Sequence, residues 1–139
     1  NDVDNHWIFY GQFGSSAYMY HNGNARIQST AAGASVAGSI SALSDIRYKK
    51  NIEKIENALD KVKSLRGVTF EWNDDTLPEG ERSTGVIAQE VEAVLPEAVT
   101  NDPDTGQKSV AYGNMVGLLI ECIKEQQEQI DELKRELGK

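Results

Sequence analysis

The sequence has few cysteines and histidines, the residues that form disulfides and bind metal ions in many proteins. It contains one cysteine, Cys122, so no intrachain disulfide can form, and we expect this thiol to be a small core residue in a reducing compartment. Its two histidines, His6 and His21, lie far apart, and neither has a second histidine or cysteine at ligand spacing. We therefore expect neither a metal ion nor another cofactor.

Long apolar runs and excess positive charge are also missing. No apolar stretch approaches the length of a membrane span, and the first residues are polar and acidic, unlike a secretory signal. The net charge of −8 opposes a nonspecific grip on nucleic acid or an anionic membrane, and the basic stretch at residues 47–50 is too short to reverse it. We expect no nucleic acid and no membrane among the partners.

The first part of the chain has the composition of short strands followed by a tract of small residues. Residues 7–20 mix aromatics with glycine and polar residues, residues 21–24 predict a tight turn, and residues 25–30 predict a further strand. Residues 31–43 have too little bulk for a core of their own. This tract is either a flexible linker or part of a fibrous β-stalk, where small side chains let strands of neighbouring subunits approach. We favour the stalk.

From residue 51 the pattern becomes that of a mixed domain. An apolar residue every three or four positions predicts a helix over 52–65 that ends near Gly67. Further along the chain we predict a strand at 68–72, a loop at 73–83, a helix at 88–95 stopped near Pro96, and strands around 99 and 109–112 joined by a turn at 102–106.

The final segment has the clearest periodicity in the chain. One heptad position holds Val116, Ile123, Ile130 and Leu137, and the other holds Leu119, Gln126 and Leu133. A seam this narrow normally packs against copies of itself, so it predicts a coiled coil and an oligomer. The alternative is a single helix lying on its own domain. β-branched residues at one position with leucine at the other favour two strands, so periodicity alone does not select a trimer.

At the junction between the two parts lies a possible pair of nucleophile and base, Ser44 and Lys49. A serine hydroxyl needs a nearby base, and a lysine can serve only when its amine is neutral. Because an exposed lysine has a pKa of about 10.4, burial or positive neighbours such as Arg47 must lower that value. The spacing by itself is more typical of a linker with solvated charges, because a serine and a lysine five residues apart are common and match no nucleophile motif. Five residues of separation also require a bend, or a lysine that reaches the serine of a neighbouring subunit.

The second part of the chain contains five motifs in a fixed order: Ser44-Asp45-Ile46-Arg47-Tyr48-Lys49-Lys50-Asn51-Ile52, Leu65-Arg66-Gly67-Val68-Thr69-Phe70-Glu71-Trp72, Gly85-Val86-Ile87-Ala88-Gln89-Glu90-Val91, Leu95-Pro96-Glu97-Ala98-Val99 and Val110-Ala111-Tyr112. Together they resemble one family, the C-terminal intramolecular chaperone domain of phage tailspikes and tail fibres, called peptidase S74 and found in endosialidase tailspikes. The resemblance covers about residues 44–126.

The resemblance implies a fold and an organisation. We expect an α+β fold: a small domain of helices and short antiparallel strands, preceded by a β-stalk segment and followed by a trimeric coiled-coil helix. The boundaries would be 1–43 for the end of the stalk, 44–112 for the self-cleaving chaperone and 113–139 for the coiled coil. The partners would be two further copies of the chain and the upstream stalk of the same polypeptide.

The resemblance also implies an activity. The domain would assemble three chains and then cut itself away in a single turnover, with Ser44 and Lys49 as catalytic dyad and Asp45 and Arg47 as further positions of the cleavage motif. We expect the cut at the Ser44–Asp45 bond; the bond before Ser44 would require an N-to-O acyl shift. Assembly would occur in the host cytoplasm, after which the stalk stays in the virion tail and the chaperone is released.

Two other classes of protein remain open. One is an oligomerisation cap of a fibre or adhesin that never cuts itself. The other is a membrane-tethered transcription factor with a related self-cleaving domain, which the fibre-like residues before Ser44 and the lack of a basic DNA-binding sequence oppose.

Overall fold

The computed structural model describes residues 8–11, 13–31, 33–73, 80 and 82–138, which divide into two units. The first unit comprises the residues up to Lys50 together with Glu71–Arg82, and the second comprises Asn51–Phe70 and Ser83–Lys139. Strands and helices follow in this order: β1 Phe9–Tyr10, β2 Tyr18–His21, β3 Asn24–Thr30, β4 Gly33–Val36, α1 Ala58–Lys63, β5 Val68–Phe70, β6 Ser83–Gly85, α2 Ala88–Val94, β7 Val99–Asn101, β8 Lys108–Val110 and α3 Met115–Glu136. The predicted mixed α+β class is confirmed.

The first unit contains an antiparallel sheet in which β1, β2, β3 and β4 pair in sequence order. The predicted turn between β2 and β3 is confirmed, with Asn22 and Gly23 both at positive φ, 49° and 73°. Two such residues form the tight hairpin turn whose twist matches the strands. Part of the small-residue tract also forms a strand, because β4 pairs with β3 from Gly33 to Val36.

This sheet buries little of its own surface. No side chain in the described part of the first unit is buried, and Tyr10, Tyr18 and Tyr20 form a row of tilted rings that is only half-covered. A sheet becomes independently stable when one of its faces packs against something apolar. The first unit as seen in one chain therefore lacks a core of its own.

The second unit holds the hydrophobic core. Its seven buried apolar residues come from α1, α2, α3 and the turn after α2: Ala58, Leu59, Val91, Leu95, Ala98, Leu118 and Cys122. The prediction that Cys122 is a small core residue is confirmed. Two hairpins, β5 with β6 and β7 with β8, complete the unit.

Helix α3 uses one side for this core and leaves another side open. Leu118 and Cys122 are buried against the body of the unit, and α1 packs along the same side. Every apolar residue of the predicted heptad seam is at least 45% exposed. The docking face and the heptad seam are therefore different stripes of one helix.

The start of α1 differs from the prediction. The helix begins at Ala58, not at residue 52, because Asn57 has φ 54° and ψ 39°, a left-handed conformation that cannot continue an α-helix. Ile52 consequently lies outside the helix and is largely exposed. The helix also ends at Lys63, before Gly67, with the backbone N–H of Ser64 bonded to the carbonyl of Asp60.

The segment predicted as a loop at 73–83 differs at its end. Residues 74–79 and 81 lie outside the described residues, but Ser83 begins β6, the antiparallel partner of β5. The strand at 68–72 and the helix at 88–95 are confirmed, each slightly shorter than predicted. Both strands of the 99–112 hairpin are confirmed as well.

A carboxylate from α3 closes the start of α1. The two carboxylate oxygens of Glu125 accept the backbone N–H groups of Ala58 and Leu59 at 2.9 and 2.8 Å. Asn57, the residue before the helix, makes no side-chain cap bond. The first N–H groups of a helix have no partner within it. Glu125 therefore caps α1 in place of a neighbouring residue, although it lies 67 residues from Ala58 and 66 from Leu59 in the sequence.

This contact predicts a pH dependence. The N–H groups of Leu59 and Ala58 lower the pKa of Glu125 from its usual value of 4.5. A carboxyl whose pKa is lower in the folded than in the unfolded chain adds stability above the unfolded pKa and loses it as the pH falls through the folded pKa. We expect the urea concentration at the midpoint of unfolding to decrease as the pH drops below about 4.3. This decrease should be smaller in Glu125→Gln.

The measurement compares urea midpoints at neutral pH and at about pH 3.5, below the ordinary glutamate pKa. Glu128→Gln is the matched control, because Glu128 lies one turn further on α3 and is exposed. Equal losses of stability in the original chain and in Glu125→Gln would contradict the prediction.

Candidate functional site

Ser44 and Lys49 are brought together within one chain. The Lys49 Nζ donates a hydrogen bond to the Ser44 Oγ at 2.7 Å, and both side chains are exposed. A fully extended chain would hold residues five apart at about 17 Å. The bend that the sequence reasoning required is therefore present.

The bend is a single 3-10 turn at Ile46–Tyr48. The N–H of Tyr48 donates to the carbonyl of Asp45 at 3.1 Å, and the N–H of Lys49 donates to the carbonyl of Ile46 at 3.0 Å. Three residues per turn bring the chain round more tightly than an α-helix does. The turn thus places Lys49 beside the serine that precedes it by five positions.

Asp45 and Arg47 form a second set of bonds around the same turn. Asp45 is the cap residue of the turn, and its Oδ1 accepts the backbone N–H of Arg47 at 2.9 Å. The same carboxylate accepts Nε of Arg47 at 3.0 Å on each oxygen and Nη2 at 2.5 Å. The side-chain and backbone bonds from Arg47 lower the pKa of Asp45, and the bond to Asp45 raises the pKa of Arg47.

The arrangement has the parts of a nucleophile and its base. For attack, the amine of Lys49 must be neutral so that it can accept the hydroxyl proton of Ser44. The geometry of the pair is present in the single chain, while the dry surroundings that favour a neutral amine are not.

Six of the seven predicted oligomerisation residues lie on α3, and Leu137 directly follows its last residue, Glu136. The apolar ones form an exposed stripe that Gln126, also exposed, interrupts in the middle. The seven positions are Val116, Leu119, Ile123, Gln126, Ile130, Leu133 and Leu137.

Other charged groups of the second unit have structural partners. Glu90, which follows Gln89 on α2, pairs with Arg66, and the hydrogen bond from Arg66 lowers the pKa of Glu90. Glu92 accepts from Lys108 at 2.8 Å and from Asn101 at 3.3 Å, which likewise lowers its pKa. These bonds connect α2 to neighbouring elements and require no catalytic role.

Within the part of the chain that the structure describes, no cluster of three or more histidine, cysteine or acidic side chains could hold a metal ion. No helix among the described residues combines the length and the apolar character needed to cross a bilayer. A cavity of about 750 Å³ in the second unit is lined by Lys54, Ile55, Leu95, Asn114 and neighbours, and its lining includes no serine, cysteine or histidine.

The structure also explains one motif that sequence reasoning left without a role. The hydroxyl of Tyr112 lies against Gly85, where the Cβ of any other residue would collide with it, and accepts the N–H of Val86 at 3.3 Å. The glycine of one motif and the tyrosine of another are therefore one packing contact. Glu125 and the Asp45–Arg47 pair were not given roles from sequence, because their partners are fixed only by folding.

Comparison with known proteins finds similarity that begins at the same position in the chain. A family described as chaperone of endosialidase, peptidase S74, matches residues 44–100, which begin at the serine of the pair. Long tail fibre protein Gp37 of Enterobacteria phage K3 is 40% identical over 98 residues, or 68% of this chain and 8% of that protein. Gp37 of Enterobacteria phage T2 is 40% identical over 68% of this chain and 7% of its own length.

Gp37 of Salmonella phage S16 is 34% identical over 120 residues, 82% of this chain and 16% of that protein. This chain thus spans less than a fifth of the length of these three relatives. Residues 44–100 match the model of the endosialidase chaperone family, and these three relatives are phage long tail fibre proteins.

Proposed function

We propose that this chain is the intramolecular chaperone of a phage tail fibre, which assembles three fibre chains and then releases itself by cutting its backbone at Ser44. The observation that carries the proposal is the hydrogen bond of 2.7 Å between Lys49 and Ser44, at the first residue of the matched family segment. In this reading, residues 1–43 are the end of the stalk, 44–112 the chaperone and 113–139 its coiled coil.

Two observations support assembly. Helix α3 is held to its own domain through Leu118 and Cys122, so the exposed heptad seam is left for other copies of the chain. The first-unit sheet buries none of its described side chains, as expected of a stalk end whose strands pack against neighbouring subunits.

The chaperone role has a physical reason. Intertwined stalks make few contacts within one chain, so bringing three chains into register costs entropy before contacts form. A trimeric domain raises the local concentration of the stalk ends and sets their register. Its removal makes the assembled stalk kinetically stable, because the nucleus for reassembly is gone.

Activation by assembly follows from the exposure of the pair. In one chain the Lys49 side chain is exposed to water. Covering the turn with neighbouring subunits removes water and favours the neutral amine that can accept the serine proton. Cleavage would then wait until the trimer has formed.

The cut itself proceeds through an ester. The Ser44 Oγ bonds to a carbonyl carbon and its proton passes to Lys49; the C–N bond breaks, and the leaving nitrogen takes up a proton. Water then hydrolyses the ester. Attack on the serine's own carbonyl would close a strained four-membered ring, so a cut at the Ser44–Asp45 bond requires the hydroxyl of another subunit. Attack on the carbonyl of Leu43 closes a five-membered ring within one chain.

Intact-mass spectrometry of freshly translated protein over time tests the proposal. We expect fragments 1–44 and 45–139 from the Ser44–Asp45 cut; fragments 1–43 and 44–139 would instead indicate the in-chain N-to-O shift. A chain that forms trimers and keeps its full mass would contradict autoproteolysis. The second candidate, an oligomerisation cap that stays on its fibre, would then be favoured by the exposed seam of α3.

A further inference from the structure

The turn that joins Ser44 to Lys49 depends on few bonds of its own. Two backbone hydrogen bonds define it, and no residue of the turn is buried. Isolated turns of this length are marginal in water, because one or two hydrogen bonds do not offset the entropy of fixing several residues. Something beyond the backbone must therefore keep Lys49 near the serine.

The Asp45 carboxylate supplies this additional restraint. It binds the backbone N–H of Arg47 through Oδ1 and the guanidinium through both oxygens, so a single group holds the main chain and the side chain of the same residue. Two-point binding of a carboxylate by a planar guanidinium fixes direction as well as distance. These bonds span residues 45–47, which lie inside the loop closed by Ser44 and Lys49.

The ion pair with Asp45 gives Arg47 a different role from the one that its charge alone suggests. A free guanidinium beside Lys49 would favour its neutral amine by repulsion, but here the positive charge of Arg47 is matched by the carboxylate of Asp45. The contribution of Arg47 is then geometric.

We propose that Asp45 and Arg47 are positioning residues for self-cleavage, whose bonded pair holds the 3-10 turn closed and so presents Lys49 to Ser44. The inference rests on the proposed function of the Ser44–Lys49 pair. Arg47 touches neither reacting atom in the described contacts and acts through the turn.

Arg47 is the better residue to change, because Asp45 flanks the expected scissile bond. We expect Arg47→Ala to slow first-order cleavage of the assembled trimer by about 10- to 100-fold, the effect of a modest misplacement of reacting groups. Arg47→Lys keeps one charge-assisted bond and should recover part of the rate. Arg82→Ala is the matched control, because Arg82 forms another exposed ion pair, with Glu71 at 3.2 Å.

A double-mutant cycle separates positioning from general damage. If the two residues act only as a pair, Asp45→Ala and Asp45→Ala combined with Arg47→Ala should cleave at similar rates, because the second change removes nothing further. Rates that multiply independently would overturn the proposal, as would Arg47→Ala cleaving as fast as Arg82→Ala. Sedimentation must show that each variant is assembled to the same extent as the original chain.

A second readout does not depend on cleavage. In uncut protein, nuclear Overhauser contacts between the side chains of Ser44 and Lys49 should be strong in the original chain, weak in Arg47→Ala and retained in Arg82→Ala. Contacts that are retained in Arg47→Ala would refute the positioning role of the Asp45–Arg47 pair, even if cleavage had slowed. An original chain that never cleaves refutes the proposed function itself, whereas normal cleavage in Arg47→Ala refutes only this inference.

Discussion

Replacing Lys49 with alanine is expected to leave the chain uncut while the trimer still forms. The amine that accepts the serine proton is gone, and loss of a general base slows a reaction by about 100- to 10,000-fold. Lys49→Arg should be equally inactive, since a guanidinium keeps the positive charge but cannot act as a base near neutral pH. Intact mass over time and sedimentation on the same samples separate cutting from assembly.

Two further variants make this result specific. Ser44→Ala should also stay uncut, because the nucleophile at the other end of the 2.7 Å hydrogen bond is missing. Lys63→Ala is the matched control, since Lys63 is an exposed lysine on α1 that pairs with Asp60 of the same helix at 3.6 Å. Cleavage of Lys49→Ala at the rate of Lys63→Ala would end the dyad proposal.

Placing lysines at Ile123 and Ile130 is expected to prevent assembly and, with it, cleavage. Both positions are exposed in one chain, at 64% and 45%, and would be central seam layers of a coiled coil. Burying one isoleucine side chain contributes about 1.5–3 kcal/mol to the stability of the assembly, and the variant loses two such residues from each of three chains. The substituted seam would also hold six like charges. We expect a monomer by sedimentation and a single full-length mass.

The control for this variant changes the charge by the same amount on another side of the helix. Glu128→Lys raises the net charge by two, as the two Ile→Lys substitutions together do, but Glu128 lies off the seam. It should assemble and cut normally. Because the core contacts of α3 come from Leu118 and Cys122, the monomeric variant should keep its helical circular dichroism. Efficient cutting in that monomer would contradict activation by assembly.

The sequence predicted those parts of the fold whose cause is local. The heptad spacing predicted α3, a pair of residues suited to positive φ predicted the turn at Asn22 and Gly23, and Pro96 marked the end of α2. The predicted start of α1 was wrong, because the apolar spacing continues through residues 52–55 whereas Asn57 adopts a left-handed conformation. No periodic pattern records a single left-handed residue.

The site was predictable in composition but not in geometry. The motif around Ser44 and Lys49 identified the residue types, yet spacing alone left open a partner in another subunit. The same-chain contact is made because the 3-10 turn at Ile46–Tyr48 brings the two side chains together. The role of Glu125 was equally hidden, since the helix start that it closes is more than sixty residues away.

By itself, then, the sequence determined the family motifs, the helical tail with its apolar seam, and the absence of a disulfide framework, all of which depend on residue identity and short-range spacing. Only the tertiary structure decided that α3 docks through Leu118 and Cys122 and keeps its seam exposed, and that Lys49 meets the serine of its own chain. The physical reason is that the spacing of apolar side chains determines which face of a segment can be buried. The residues that this face contacts depend on how distant segments of the chain pack against it.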